Sequence, residues 1–258
     1  MRGIVLATLF VRDEEDILAE HLEHHLTHGV DAFLVTDNGS VDGTPEILRR
    51  FRSHILEITF DPRFEHPQGE CVTRMARRAW ELGADWVVPL DADEFWYGLE
   101  HLHELPADVG VVSAAPLRNH PPVAGLVAGP FTRAQMPYYH IVPHVGRFAC
   151  RAAHRLVITE GNHAARNHPG RVIATGRIVI HHYPVRSYRQ FVRKVVNNGS
   201  AYERYAGPRG HGVHHRRWYA LWRRGELERL YRDELLFTEE RIARELAAGT
   251  LHVFDPPA

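Results

Sequence analysis

The sequence predicts an α/β fold: a mostly parallel, Rossmann-like sheet flanked by helices, with a C-terminal helical extension. Three observations lead there. Short apolar, β-rich runs alternate with amphipathic helical segments through the first part of the chain, the pattern of β-α-β units with right-handed crossovers. The acidic loops at Asp13, Asp37 and Asp91/Asp93 each follow a strand-like run, and open α/β sheets bind ligands outside the carboxyl ends of their strands. The 258 residues, 24% of them charged, with a net charge of -1, suit a single core. They give no general pull toward nucleic acid or a membrane surface.

Gly3 to Val11 is the first buried strand. Asp13 is placed to cap the next helix, with Glu14, Glu15 and Asp16 in its first turn, where the macrodipole favours negative charge. Ile17, Leu18, Leu22 and Leu26 form the apolar face of that helix and Gly29 ends it. Ala32 to Thr36 is the second strand. After it, Asn38-Gly39 and Asp42-Gly43 are turn dipeptides, and Thr44-Pro45 starts a helix that reaches Phe51. A strand over 55–60, a helix over 68–82 and a strand from Trp86 complete the series.

The last of these strands carries the chemistry. Trp86 to Leu90 is an apolar run ending in Asp91-Ala92-Asp93-Glu94-Phe95, and alternation along a strand points Asp91 and Asp93 the same way. Carboxylates so placed repel and raise each other's pKa unless a cation lies between them. A hard divalent ion, Mg²⁺ or Mn²⁺, suits oxygen ligands and keeps positions open for phosphates. Taken alone, an Asp-x-Asp also reads as a solvated acidic turn. Pro89 cannot donate to a ladder and is expected at the fraying end of the strand.

Other features narrow the class. Two cysteines, Cys71 and Cys150, cannot support a disulfide framework in a chain of this length and read as reduced cytosolic thiols. The apolar start runs straight into Arg12-Asp13-Glu14-Glu15-Asp16 without a small-residue cleavage site. No run approaches the roughly 20 apolar residues of a spanning helix, so a soluble, cytoplasmic protein is expected. Among 20 histidines, His21/His25 and His24/His28 share helical faces. With no His-Glu-x-x-His pattern beside them, they read as surface or capping groups.

The second half is less patterned. Val109 to Ala115 and Arg147 to Ile158 are strand-like, separated by a Pro- and Gly-rich stretch from Pro116 to Pro143 that reads as acceptor-side material. Thr159 to His163 follows a strand and offers Glu160 and His163 as proton acceptors, Glu160 being preferred. In the run Arg177 to Tyr183, alternation lets only one of His181 and His182 face a site. Ser187 with Gln190 forms a capping box for a helix carrying Phe191, Arg193 and Lys194.

From Arg186 to Arg224 the chain holds ten Lys and Arg against one acid, Glu203, a local excess that suits a diphosphate leaving group. Within it, Arg216 to Arg224 interleaves aromatics with arginines. Packing of Trp218, Leu221 and Trp222 on the core accounts for that pattern, and a membrane surface, a sugar acceptor or self-association through the same segment are the other readings. Thr238 caps a last helix that ends at Gly249.

Three motifs together carry a resemblance. Val11-Arg12-Asp13-Glu14-Glu15, then Asp37-Asn38-Gly39-Ser40-Val41-Asp42-Gly43-Thr44, then Asp91-Ala92-Asp93-Glu94-Phe95 resemble, in order and separation, family 2 glycosyltransferases of the GT-A fold. The resemblance implies that Asp37 contacts the nucleoside and Asp91 the ribose side. It implies that Asp93 holds the Mn²⁺ or Mg²⁺ that bridges the donor diphosphate, and that Thr8 and Arg12, at the end of the first strand, border the base. His182-Tyr183 with Ser187, Phe191 and Lys194 is similar to the closing segment of many of these enzymes, where that histidine approaches the metal or diphosphate.

The implied activity is inverting transfer of a sugar from a nucleoside-diphosphate donor to an acceptor whose nature the sequence leaves open, with no nucleic-acid partner. On this reading residues 1–115 bind the donor, 116–185 shape the acceptor side and 186–258 pack as a helical segment. A nucleotidyltransferase is one rival, although it would want a glycine-rich, basic loop where Arg12 to Asp16 stands. A nucleotide- or glycan-binding module without turnover is the other.

Overall fold

The computed structural model describes residues 3–63, 67–125, 131–143, 146–204 and 212–254. In chain order the first half alternates as expected: β1 (Val5–Val11), α1 (Leu18–Thr27), β2 (Ala32–Asp37), α2 (Thr44–Arg50), β3 (Ile55–Phe60), α3 (Gln68–Glu81) and β4 (Trp86–Leu90). Short strands follow: β5 (Glu94–Tyr97), β6 (Val109–Ser113), β7 (Leu117–Asn119), β8 (Tyr138–Val142), β9 (Phe148–Arg151), β10 (Val157–Ile158), β11 (Ala165–Arg166), β12 (Arg171–Ala174) and β13 (Val179–His182). α4 (Tyr188–Arg204), α5 (Val213–Arg223), α6 (Leu227–Leu230), α7 (Glu239–Ala247) and β14 (His252–Val253) complete the described elements.

Two compact units divide the chain. One comprises Met1–Arg63, Pro67–Arg118 and Val142–His182; the other comprises Phe64–His66, Asn119–Ile141 and Tyr183–Ala258. The 116–185 stretch is thus shared between them.

The first unit is built on a seven-stranded sheet in the order β12-β6-β9-β4-β1-β2-β3. Its pairings are parallel except at β9, which runs against both β4 and β6. The expected mostly parallel α/β sheet is therefore present. Its central strands bury both faces, as apolar runs without alternation require. Val5, Ala7, Leu9, Phe33, Val35, Trp86 and Val88 cluster with Leu18 and Leu22 of α1 and Ile47 and Leu48 of α2. Leu6, Leu34 and Val87 meet Val72, Met75, Ala76 and Ala79 of α3.

Several local expectations are corrected. Asp13 does not cap α1, which begins only at Leu18. With φ at 53°, Asp13 instead turns to the β2 loop: its Oδ1 accepts the Val41 amide at 2.7 Å and its own amide donates to Ser40 Oγ at 3.0 Å. Glu14 and Glu15 do likewise, their amides donating to Thr44 Oγ1 and Asp42 Oδ2. Pro89 sits inside β4, not at a frayed end, opposite Thr8 of β1. It is tolerated because β9 pairs only with Trp86 and Val87, leaving no ladder on that side for Pro89 to serve.

The α1 histidines are also not surface groups: His21, His24 and His25 are buried. Their partner is β5. His24 Nε2 donates to the Trp96 carbonyl at 2.9 Å, and His25 Nε2 accepts the Trp96 amide at 3.2 Å while its Nδ1 donates to the His21 carbonyl at 2.8 Å. β5 pairs on its other edge with β13, Ile180 lying opposite Trp96 and His182 opposite Glu94. Two imidazoles thus satisfy a strand edge that would otherwise bury unpaired backbone.

The second unit gathers Val185, Phe191, Val195, Leu227, Leu230 and Tyr231 into one cluster, against which Trp218, Tyr219 and Leu221 pack. Trp222 remains 38% exposed. The side-chain caps at Ser187 and Thr238 are made, but the Gln190 side chain reaches the Arg186 amide and not the Ser187 amide that the expected capping box would use. Ser187 Oγ accepts the Gln190 amide at 3.1 Å, with Gln190 Oε1 returning to the Arg186 amide, and Thr238 Oγ1 accepts the Arg241 amide at 3.3 Å. Arg209 of the basic stretch and residues 126–130 of the Pro- and Gly-rich stretch lie outside the described residues. Among the described residues no helix is long and apolar enough to cross a membrane.

Candidate functional site

β4 ends at Leu90 and the chain turns at once, the Glu94 amide donating to the Asp91 carbonyl at 3.0 Å. Asp91 and Asp93 therefore stand on a tight turn, and the strand alternation expected to align them does not apply. Their side chains meet different partners. Asp91 Oδ2 pairs with Arg147 Nη2 at 2.9 Å, and its Oδ1 accepts from Asn162 Nδ2 at 2.9 Å and Gln68 Nε2 at 3.1 Å. Asp93 Oδ1 lies 3.5 Å from His182 Nε2. The cation beside Asp91 is a guanidinium of the chain itself.

Arg147, which sequence reasoning passed over, is the hub of this arrangement. Its Nε lies 2.5 Å from Glu94 Oε1, and its Nη1 reaches the Gly161 carbonyl at 3.0 Å and His163 Nδ1 at 2.9 Å. Burial works against the Arg147 charge, but Glu94, Asp91 and Asp93 outweigh it and hold its pKa above the ordinary arginine value. Burial likewise pushes the Glu94 carboxyl up, with Arg147 opposing. Arginine can only donate, so His163 accepts at Nδ1 and carries its proton on Nε2. An arginine ahead of an apolar run in Gly146-Arg147-Phe148 was the only trace of this in the sequence.

Glu160 and His163 flank the turn at Gly161, whose carbonyl accepts from Arg147. Glu160 Oε2 accepts the Gly69 amide in the first turn of α3 at 2.9 Å. This approach needs a glycine: a Cβ at 69 would lie 2.9 Å from the same oxygen and 3.1 Å from the Glu160 nitrogen. Glu160 also lines a cavity of about 870 Å³ along α3, with Gly69, Thr73, Arg74 and Ile158. Gly161, at φ 72°, lets the chain turn from Glu160 to His163.

The nucleoside-side residues are placed unequally. Asp37 closes β2, buried, its Oδ1 accepting the Ser40 amide at 2.9 Å. Arg12 follows β1 with Asp13 3.8 Å away; burial lowers its pKa, with Asp13 and Asp37 acting against that. Thr8 is not at the end of β1 but mid-strand and fully buried, because β1 stays paired with β2 as far as Val11 and Asp37. Behind the Asp91–Glu94 turn lies His21, whose pKa burial lowers to about 3, with Asp93 opposing. Lys194 belongs to the second unit, where its ammonium donates to the Pro184 carbonyl at 3.2 Å.

Among the described residues no three His, Cys, Asp or Glu side chains form a metal cluster. Asp93 and His182, 3.5 Å apart, offer two candidate ligand atoms, a set that would suit an ion completing its shell with phosphate oxygens and water and would not suit a protein-only cage.

No family model matches the chain, and no curated protein matches it in sequence. Solved structures do. The chain is similar to S. aureus TarS 1-349, at 12% identity over 90% of this chain and 72% of that one, with a TM-score of 0.45. It is similar to a mannosyltransferase from Pyrobaculum calidifontis in complex with GDP-Man and Mn²⁺, at 16% identity over 96% and 76%, TM-score 0.47. Glucosyl-3-phosphoglycerate synthase from Mycobacterium tuberculosis, in complex with Mn²⁺, UDP and glucosyl-3-phosphoglycerate, matches at 18% identity over 58% and 57%, TM-score 0.33. Each of those activities belongs to the protein that carries it.

Proposed function

We propose that this chain is a cytosolic glycosyltransferase that moves a sugar, with inversion, from a nucleoside-diphosphate donor to a nucleophilic acceptor. The observation that carries the reading is the Asp93–His182 pair, 3.5 Å apart, with Asp93 following β4 at the carboxyl edge of a mostly parallel sheet whose nearby strand ends bear Arg12 and Asp37. Ligands of this fold class bind at that edge. A divalent cation held by Asp93 and His182 would neutralise the charge developing on the departing diphosphate.

The chain's own residues supply the rest. Asp37 accepts hydrogen bonds from the nucleoside and Arg12 borders the base. Asp91, oriented by Asn162, Gln68 and Arg147, faces the ribose side. Glu160 takes the acceptor's proton as it attacks the anomeric carbon. His163 suits that task less, because Arg147 occupies Nδ1 and Nε2 already holds a proton; it serves as a donor beside the developing negative charge.

Calorimetric titration with UDP, dTDP and GDP tests the reading, in Mn²⁺, in Mg²⁺ and with chelator, on the wild type and on Asp93→Asn. Metal-dependent binding of one nucleotide that Asp93→Asn abolishes is expected. Binding of none, or binding indifferent to both metal and substitution, overturns it in favour of a module without turnover.

A further inference from the structure

Asp91 is held from three sides, its Oδ2 by Arg147 and its Oδ1 by Asn162 and Gln68, while other Arg147 donors go to Glu94, Gly161 and His163. A guanidinium offers five N–H donors in a rigid fork and keeps its charge at every working pH. Beside Asp91 it provides the positive charge that neighbouring carboxylates demand. It does so without the six-coordinate shell that Mg²⁺ requires. An ion drawn toward Asp91 would meet that fixed charge, whereas Asp93, 3.5 Å from His182, faces a group that can itself be a ligand.

We propose that Arg147 is the built-in counter-cation of the Asp91–Glu94 turn and its positioning residue. It keeps Asp91 out of any metal shell, leaves Asp93 and His182 as the ion-binding pair, and ties the Gly161–His163 turn to Asp91. The proposal rests on the donor-site reading above and deepens it: one side chain sets both the ionic character of the turn and the place of the loop that carries Glu160.

The test needs no substrate and no turnover. Mn²⁺ alone is titrated, its free ion followed by electron paramagnetic resonance, against the full-length wild type, Asp91→Asn, Asp93→Asn and the double variant Glu94→Gln/Arg147→Met. The double variant removes both buried charges together, so neither is stranded without its partner. Arg147→Gln, which removes the charge but keeps donors, is the second route to the same measurement.

The double variant and Arg147→Gln are expected to bind Mn²⁺ at least about tenfold more tightly than the wild type, the gain vanishing when Asp91→Asn is added; a factor of ten is the scale of one modest charge contact. In the wild-type background Asp91→Asn is expected to change Mn²⁺ affinity less than Asp93→Asn does. A folded double variant with no gain overturns the proposal, and so does an Asp91→Asn loss equal to that of Asp93→Asn. Failure of the donor-site reading looks different: Asp93→Asn then leaves both Mn²⁺ and nucleotide binding unchanged, while the gain at Asp91 stands or falls by itself.

Discussion

His25 accepts the backbone amide of Trp96 through Nε2 at 3.2 Å, a bond that only the unprotonated nitrogen can make. Burial, together with His21 and His24, lowers the His25 pKa well below its ordinary value, and burial lowers that of His21 to about 3. The folded state thus binds fewer protons than the unfolded chain once pH drops below the free-histidine value of about 6.5. Stability is full above that pH and falls as pH decreases toward 3, by about 1.4 kcal/mol per pH unit for each proton. Urea titrations between pH 4 and 7.5 should show this slope. His25→Gln, which offers an acceptor but cannot charge, should lower the slope by about one proton.

Gly69→Ala should destabilise the protein although alanine favours a helix by about 1 kcal/mol. The added Cβ would press on Glu160 Oε2 and on the Glu160 nitrogen, and overpacking costs roughly 1–3 kcal/mol. Chemical denaturation of the single variant and of the pair with Glu160→Ala checks this. The penalty should shrink when the Glu160 side chain is gone, and a penalty unchanged by Glu160→Ala would place the strain elsewhere.

Glu160→Gln should separate catalysis from capping. The amide oxygen still accepts the Gly69 amide, so the melting temperature should hold. Turnover, if Glu160 is the base, should fall by about 10²–10⁴-fold, the usual weight of a general base. Unchanged turnover on a folded variant would remove Glu160 from the mechanism.

Asn38 anchors the loop after β3, its Nδ2 donating to the Asp61 and Arg63 carbonyls at 2.6 and 2.7 Å. Asn38→Ala should cost about 1–3 kcal/mol by leaving two carbonyls unmet. Asn38→Asp should cost more, since a carboxylate would face both carbonyl oxygens. Denaturation midpoints of the two variants order the effects, and the reverse order would mean the loop simply rearranges.

The first half of the fold was legible because its signals are local. Apolar runs at 5–11, 32–37, 55–60 and 86–90 mark strands, and α3 follows its periodicity from Gln68 to Glu81. The position of Asp37 at the end of β2 was legible because a turn sequence follows a strand. Arg147 was not legible, since its meaning depends on Asp91 and Glu94, which lie more than fifty positions earlier. The α1 histidines show the same limit. An i,i+4 pair reads alike on a wet face and a buried one, and only the strand beside it distinguishes them. The later strands, often two to five residues long, are set by their partners rather than by any pattern of their own.

The lacing of the β1 loop to the β2 loop, from Asp13 with Ser40 and Val41 to Glu15 with Asp42 and Gly43, has a calorimetric consequence. Arg12 and Asp37 belong to cross-linked segments, so a nucleoside seated there, as the proposed function has it, would order little new chain. The heat-capacity change on binding should then track the apolar surface covered, without the extra negative contribution of a loop folding around its guest.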